Sequence, residues 1–131
     1  ISEIHGLYGP QAYRRYERRA LERAIKHERA VIATGGSIVS EAATYELLLR
    51  SCHTVWIVAT PAEHMGRVMA QGDLRPMQAS REAMADLKRI LENRRALYGK
   101  AEAMVETTAK PIEDSAAELA AVAARLIDDA I

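Results

Sequence analysis

Three observations predict an α/β fold, a parallel sheet with helices on both faces. Helical and strand-like segments alternate along the chain in the order helix, strand, helix, strand, helix, loop, helix, strand, helix. The run Thr54-Val55-Trp56-Ile57-Val58-Ala59 is almost continuously apolar and β-rich, as in a strand covered on both faces. A helix start follows at once, with Thr60 as hydroxyl cap, Pro61 at the first helical position and Glu63 placed to close a capping box. In sheets of this kind ligands bind outside the carboxyl ends of the strands.

Each element has its own signal. After the turn at Gly9-Pro10, residues Tyr13, Tyr16, Ala20, Leu21, Ala24 and Ile25 recur at helical spacing, which predicts an amphipathic helix from Gln11 to about His27. The short β-branched run Val31-Ile32-Ala33-Thr34, ended by Gly35-Gly36, predicts a buried strand, and a helix follows from about Val39 to Ser51. The helix opened by Thr60 is expected to reach about Gln71. Residues 72–79 carry Gly72, Asp73 and Pro76 without periodicity and predict a loop. Ser80 caps a long helix to about Lys100, Ala103 to Thr108 is β-prone, and Pro111 opens an alanine-rich helix to about Ala130. Three strands make a narrow parallel sheet, so further strands are expected to complete it.

Composition excludes several function classes. The chain has 131 residues, the size of one domain with a hydrophobic core, and residues 1–131 are expected to form the major part of one such domain. Lys plus Arg and Asp plus Glu number 18 each, so no global basic field would hold nucleic acid or an anionic membrane. The single cysteine, Cys52, rules out an internal disulfide and fits a reducing, cytoplasmic setting. No apolar run approaches the roughly 18 residues of a membrane span, and the opening ISEIHGLYG lacks signal-peptide character. His5, His27, His53 and His64 show no metal-ligand spacing, and no metal is expected within the chain. Met65 and Met69 at i, i+4 read as core, and Cys52 as a small buried hydrophobe.

The residues able to carry chemistry are mainly glycines and arginines. Gly35 and Gly36 stand between a predicted strand and a helix, where glycine forms a tight turn or lets backbone N–H groups approach a ligand. Arg14 shares a helical side with Leu21, and Arg94 with Leu87, Leu91 and Tyr98, so both can lean inward from an apolar margin. A guanidinium offers a planar fork that matches carboxylate or phosphate; the alternative is a snorkelling arginine paired with a local glutamate. Arg75, beside Pro76 in the 72–79 loop, is either a solvated loop residue or a charge carried over a bound phosphate. Asp73 reads first as a turn residue, while Arg15, Arg18, Arg19 and Arg23 read as a solvated helical face.

Tyr13-Arg14-Arg15-Tyr16-Glu17, Ala33-Thr34-Gly35-Gly36-Ser37, Arg75-Pro76-Met77 and Arg94-Arg95-Ala96-Leu97-Tyr98 follow one another in the order and approximate spacing of shikimate kinase motifs. On these motifs the chain resembles that family over nearly its whole length. The resemblance implies a three-layer α/β/α, P-loop-kinase-like parallel sheet, with the lid at about 72–79 and with the first strands and phosphate-binding loop lying upstream of Ile1. It implies that Arg14 and Arg94 bind the substrate carboxylate, that Gly35 and Gly36 contact the substrate, and that the lid residue Arg75 reaches the nucleotide phosphates as the catalytic arginine of a kinase. Ser37 departs from the family's third glycine and Ala96 from its usual proline. No GxxxxGK[ST] loop occurs, so no ATP or Mg²⁺ site is expected within these residues, although a complete kinase would use both.

Several segments, including ISEIHGLYGPQAYRRYE, EHMGRVMAQGDLRPM and SREAMADLKRIL, resemble more closely the shikimate-kinase-like domains of bacterial helix-turn-helix (XRE-type) regulators of benzoate degradation. That resemblance implies a ligand-sensing domain for an aromatic acyl-CoA such as benzoyl-CoA, with DNA binding outside this chain. The alternative is part of a true shikimate kinase, transferring phosphoryl from ATP to the 3-hydroxyl of shikimate. Either way the expected partner is a small anionic aromatic or shikimate-like ligand, with no nucleic acid through this chain and no membrane. An exposed strand edge makes a homodimer a further expectation.

Overall fold

A computed structural model describes residues 2–70 and 80–129. Its contacts divide the chain into two compact units, Ile1–Cys52 and His53–Ile131.

In the first unit, helix α1 spans Ser2–Ala24 and is broken by Gly9, whose φ of 82° and ψ of 173° lie outside the helical region. Only glycine adopts that backbone without a Cβ clash. Pro10 then restarts the helix, as the Gly9-Pro10 turn signal predicts, because its missing N–H is an orphan at a first helical position anyway. The helix buries Ala12, Tyr13 and Leu21, while Tyr16, expected on the same stripe, is half exposed. A 3-10 turn, Gly36–Ser40, buries Ile38 and Val39. Helix α2, Ala42–Ser51, packs on α1 and buries Thr44, Tyr45 and Leu48.

The strand expected at Val31–Thr34 does not form. Among the described residues the sheet has two strands, and Val31 is 96% exposed. β-Branched side chains favour an extended backbone, but a strand exists through its ladder partners, and this run has none there.

The second unit is built on strands β1, Val55–Val58, and β2, Ala103–Glu106, which pair in parallel with Val55 opposite Ala103 and Val58 opposite Glu106. A parallel pair requires a crossover, and helices α3, Pro61–Ala70, and α4, Ser80–Tyr98, lie between the strands in sequence and pack on each other. Helix α5, Ile112–Asp129, packs on β2, whose Val105 is fully buried. The Trp56 and Tyr98 rings stand 5.6 Å apart, fixing the end of α4 against β1. The chain is thus an α/β protein with a small parallel sheet, and the 72–79 loop lies outside the described residues.

The capping box at Thr60 is half formed. Thr60 Oγ1 accepts from the Glu63 N–H at 3.3 Å, but the Thr60 N–H donates to Thr108 Oγ1 at 2.9 Å. Glu63 is thereby released to accept from the Ala109 N–H at 2.8 Å. Ala109 takes φ 59°, a left-handed conformation that costs a non-glycine residue about 1–2 kcal/mol. Glycine would relieve that strain at a cost of about 0.5–1 kcal/mol in unfolded-chain freedom. Ala109→Gly should therefore stabilise the protein by about 0.5 kcal/mol and Ala109→Val should destabilise it, both measured by urea unfolding. A lower midpoint for the glycine variant would contradict this account.

Candidate functional site

The first unit brings three of the expected site residues together. Arg14 projects from α1 toward the glycine turn, where its Nη1 donates to the Ser37 carbonyl at 2.9 Å and to Ser37 Oγ at 3.1 Å. The same nitrogen donates to Glu17 Oε1, one turn along α1, at 3.0 Å. The Arg14 side chain keeps 25% of its surface exposed, and its guanidinium lies 5.5 Å from the centre of the Tyr13 ring. Gly35 and Gly36 immediately precede Ser37, and the Tyr13 hydroxyl lies 3.8 Å from where a Cβ on Gly35 would sit. A cleft of about 290 Å³ opens beside Arg14, lined also by Gln11, Arg15, Arg18, Glu41 and Thr44. Arg18 is turned outward, paired with Glu22 at 3.0 Å as expected of the solvated face.

The physical reason for this assembly is local. Buried Tyr13 and Leu21 orient α1, so Arg14 sits at the edge of the apolar stripe. Ile38 and Val39 anchor the 3-10 turn, which holds the Ser37 carbonyl in place as an acceptor. A part-buried guanidinium held this way stands at the mouth of the cleft, an arrangement that suits an anionic ligand.

Arg94 lies in the second unit on α4, half-buried, one helical turn before Tyr98. Arg75 and Asp73 fall outside the described residues.

The second unit also holds a cluster absent from the sequence reading, at the carboxyl ends of both strands. Buried Thr107 donates its hydroxyl and its N–H to the Val58 carbonyl, each at 2.8 Å, and so extends the ladder past β2. Arg67 Nη1 donates to Thr107 Oγ1 at 2.9 Å, and Nη2 donates to the Thr107 carbonyl at 3.1 Å and to Glu63 Oε2 at 2.9 Å. Two signals pointed here: the strand-end rule and the i, i+4 Glu63–Arg67 pair. Thr107 gave neither away, since a threonine after a strand commonly begins a turn.

Titration behaviour follows the same contacts. Hydrogen bonds from Thr108, chiefly its hydroxyl, hold the Glu106 carboxyl below its ordinary range. Burial pushes the Cys52 thiol up, in keeping with an unreactive half-buried cysteine. His53 Nδ1 pairs with Glu102 Oε2 at 3.1 Å, tying together the approaches to β1 and β2. Met65 is buried, as expected of a core residue. Among the described residues no group of three or more His, Cys, Asp or Glu side chains could hold a metal ion. None of their helices is long and apolar enough to cross a membrane.

Burial first and the adjacent Arg67 charge second lower the pKa of the His64 imidazole. Its folded pKa lies below the ordinary 6.5, so between the two values the folded state binds fewer protons than the unfolded chain. Its contribution to stability is complete above 6.5 and is lost as pH falls through the folded value. Melting temperatures measured downward from about pH 7.5 should show this loss, and His64→Gln should reduce it. An identical pH profile for the two proteins would contradict the assignment.

A family model described as shikimate kinase matches residues 1–126. The shikimate kinase of Zymomonas mobilis subsp. mobilis is 32% identical over 114 residues, which cover 87% of this chain and 64% of the relative. That of a Synechococcus species is 32% identical over 114 residues, covering 87% and 58%. That of Symbiobacterium thermophilum is 28% identical over 121 residues, covering 91% and 70%. The matched region thus spans less than two thirds of the first two relatives. No solved structure gives a significant match.

Proposed function

This chain belongs to the shikimate kinase family, and on that premise we propose that it supplies the substrate-carboxylate clamp of a shikimate kinase. The observation that carries the reading is Arg14 held against the Gly35-Gly36-Ser37 turn by three acceptors on one nitrogen. In this reading Arg14 binds the carboxylate of shikimate, Arg94 adds a second cationic contact, and the backbone at Gly35 and Gly36 approaches the substrate ring. Arg75 stabilises charge on the transferring phosphoryl group. When bound, ATP with Mg²⁺ supplies that group. The 131 residues contain no GxxxxGK[ST] motif and no described acidic cluster, so none of them is assigned to hold the metal.

A second reading is a domain that senses an aromatic acyl-CoA, such as benzoyl-CoA, for a bacterial regulator of aromatic catabolism. One observation favours it: the segments ISEIHGLYGPQAYRRYE, EHMGRVMAQGDLRPM and SREAMADLKRIL resemble those of such regulators. The full-length protein separates the two. Turnover should appear as shikimate-dependent ADP formation, and Arg14→Ala should lower kcat/KM about a hundred-fold. Absence of turnover, with benzoyl-CoA raising the melting temperature and shikimate leaving it unchanged, would overturn the kinase reading in favour of the sensor.

A further inference from the structure

The three acceptors around Arg14 are unevenly distributed, and the imbalance carries information. All three reach Nη1: Glu17 Oε1, the Ser37 carbonyl and Ser37 Oγ. A guanidinium has five N–H donors, two of them on Nη1. Nη1 is thus saturated, with one hydrogen shared between acceptors, whereas Nε and Nη2 make no hydrogen bond among the described residues. Of the two guanidinium edges that can grip a carboxylate with parallel hydrogen bonds, the Nη1–Nη2 edge is spent. The Nε–Nη2 edge is open.

We propose that Ser37 is a positioning residue for ligand binding: its hydroxyl, with Glu17, pins Nη1 so that Arg14 presents its Nε–Nη2 edge as a preset fork for a carboxylate. The inference rests on the carboxylate-clamp reading and adds to it the group that orients the clamp. A glycine at this position would keep the carbonyl acceptor and lose the hydroxyl. Ser37 therefore contributes preorganisation. An arginine with four rotatable side-chain bonds loses less freedom on binding when one nitrogen is already tethered. The tether does not compete with the ligand, because it occupies the nitrogen that the open edge does not use.

Calorimetric titration of shikimate into the full-length protein tests this with four proteins: wild type, Ser37→Ala, Ser37→Thr and Arg14→Ala. Ser37→Ala should weaken binding about 3- to 10-fold, the cost of immobilising one long side chain that is no longer preset. Ser37→Thr restores a hydroxyl at the same position and should return affinity to within about two-fold of wild type. A serine acting on stability alone would lower the melting temperature of Ser37→Ala and leave its affinity for shikimate at the wild-type value. If Arg14→Ala abolishes binding while Ser37→Ala binds as wild type does, the clamp stands and the role of Ser37 is overturned. If Arg14→Ala binds as tightly as wild type, or wild type does not bind shikimate, the clamp reading itself fails and takes the positioning role with it.

Discussion

A guanidinium that is drawn partly out of water must find acceptors, and in each unit of this protein one arginine meets that demand by reaching a backbone carbonyl far along the chain. Arg14 reaches the carbonyl of Ser37 and Arg67 that of Thr107. A hydrogen bond from a charged donor is worth about 1.5–3 kcal/mol, and leaving such a donor unpaired costs more. These contacts therefore do more than decorate the surface. In the first unit Arg14 ties the 3-10 turn to α1, while the turn itself packs on α2. In the second, the turn after β2 is held against α3 through Arg67 and Glu63.

The second cluster shows how tightly polar accounting constrains a short sheet. Two parallel strands of four residues each offer few ladder bonds, and Thr107 adds two more to the Val58 carbonyl beyond the last paired residue. The Thr107 hydroxyl can donate there because Arg67 supplies the hydrogen bond it accepts. Glu63 in turn satisfies the N–H of Ala109 at a left-handed backbone position. Helix start, strand end and strained turn are thus one connected network, and the strain at Ala109 persists because its neighbours determine it.

Much of this was legible in the residues. The apolar run at Val55–Val58 and the Thr60-Pro61 helix start are local signals, and both appear where periodicity and cap chemistry put them. Gly9-Pro10 announced a break, and the structure shows it as a kink inside one helix. Val31–Thr34 has strand composition without strand structure, because pairing is a long-range property that composition cannot supply. The position of Arg14 beside the apolar stripe followed from its helical spacing with Leu21, but its contact with the turn at Ser37 did not. That all its contacts fall on one nitrogen could not be read, since it depends on side-chain rotation and on the carbonyl direction of a residue 23 positions away. The Arg67–Thr107 contact escaped for the same reason, at a separation of 40.

If the open edge of Arg14 grips a carboxylate, shikimate and its methyl ester must differ as ligands for the wild-type full-length protein, and titration of each compares them. The ester keeps the ring and hydroxyls and removes the charge and one equivalent oxygen from the fork's partner. The ester should bind at least about ten-fold more weakly, with the gap narrowing as salt rises. Equal affinity for the two would contradict it.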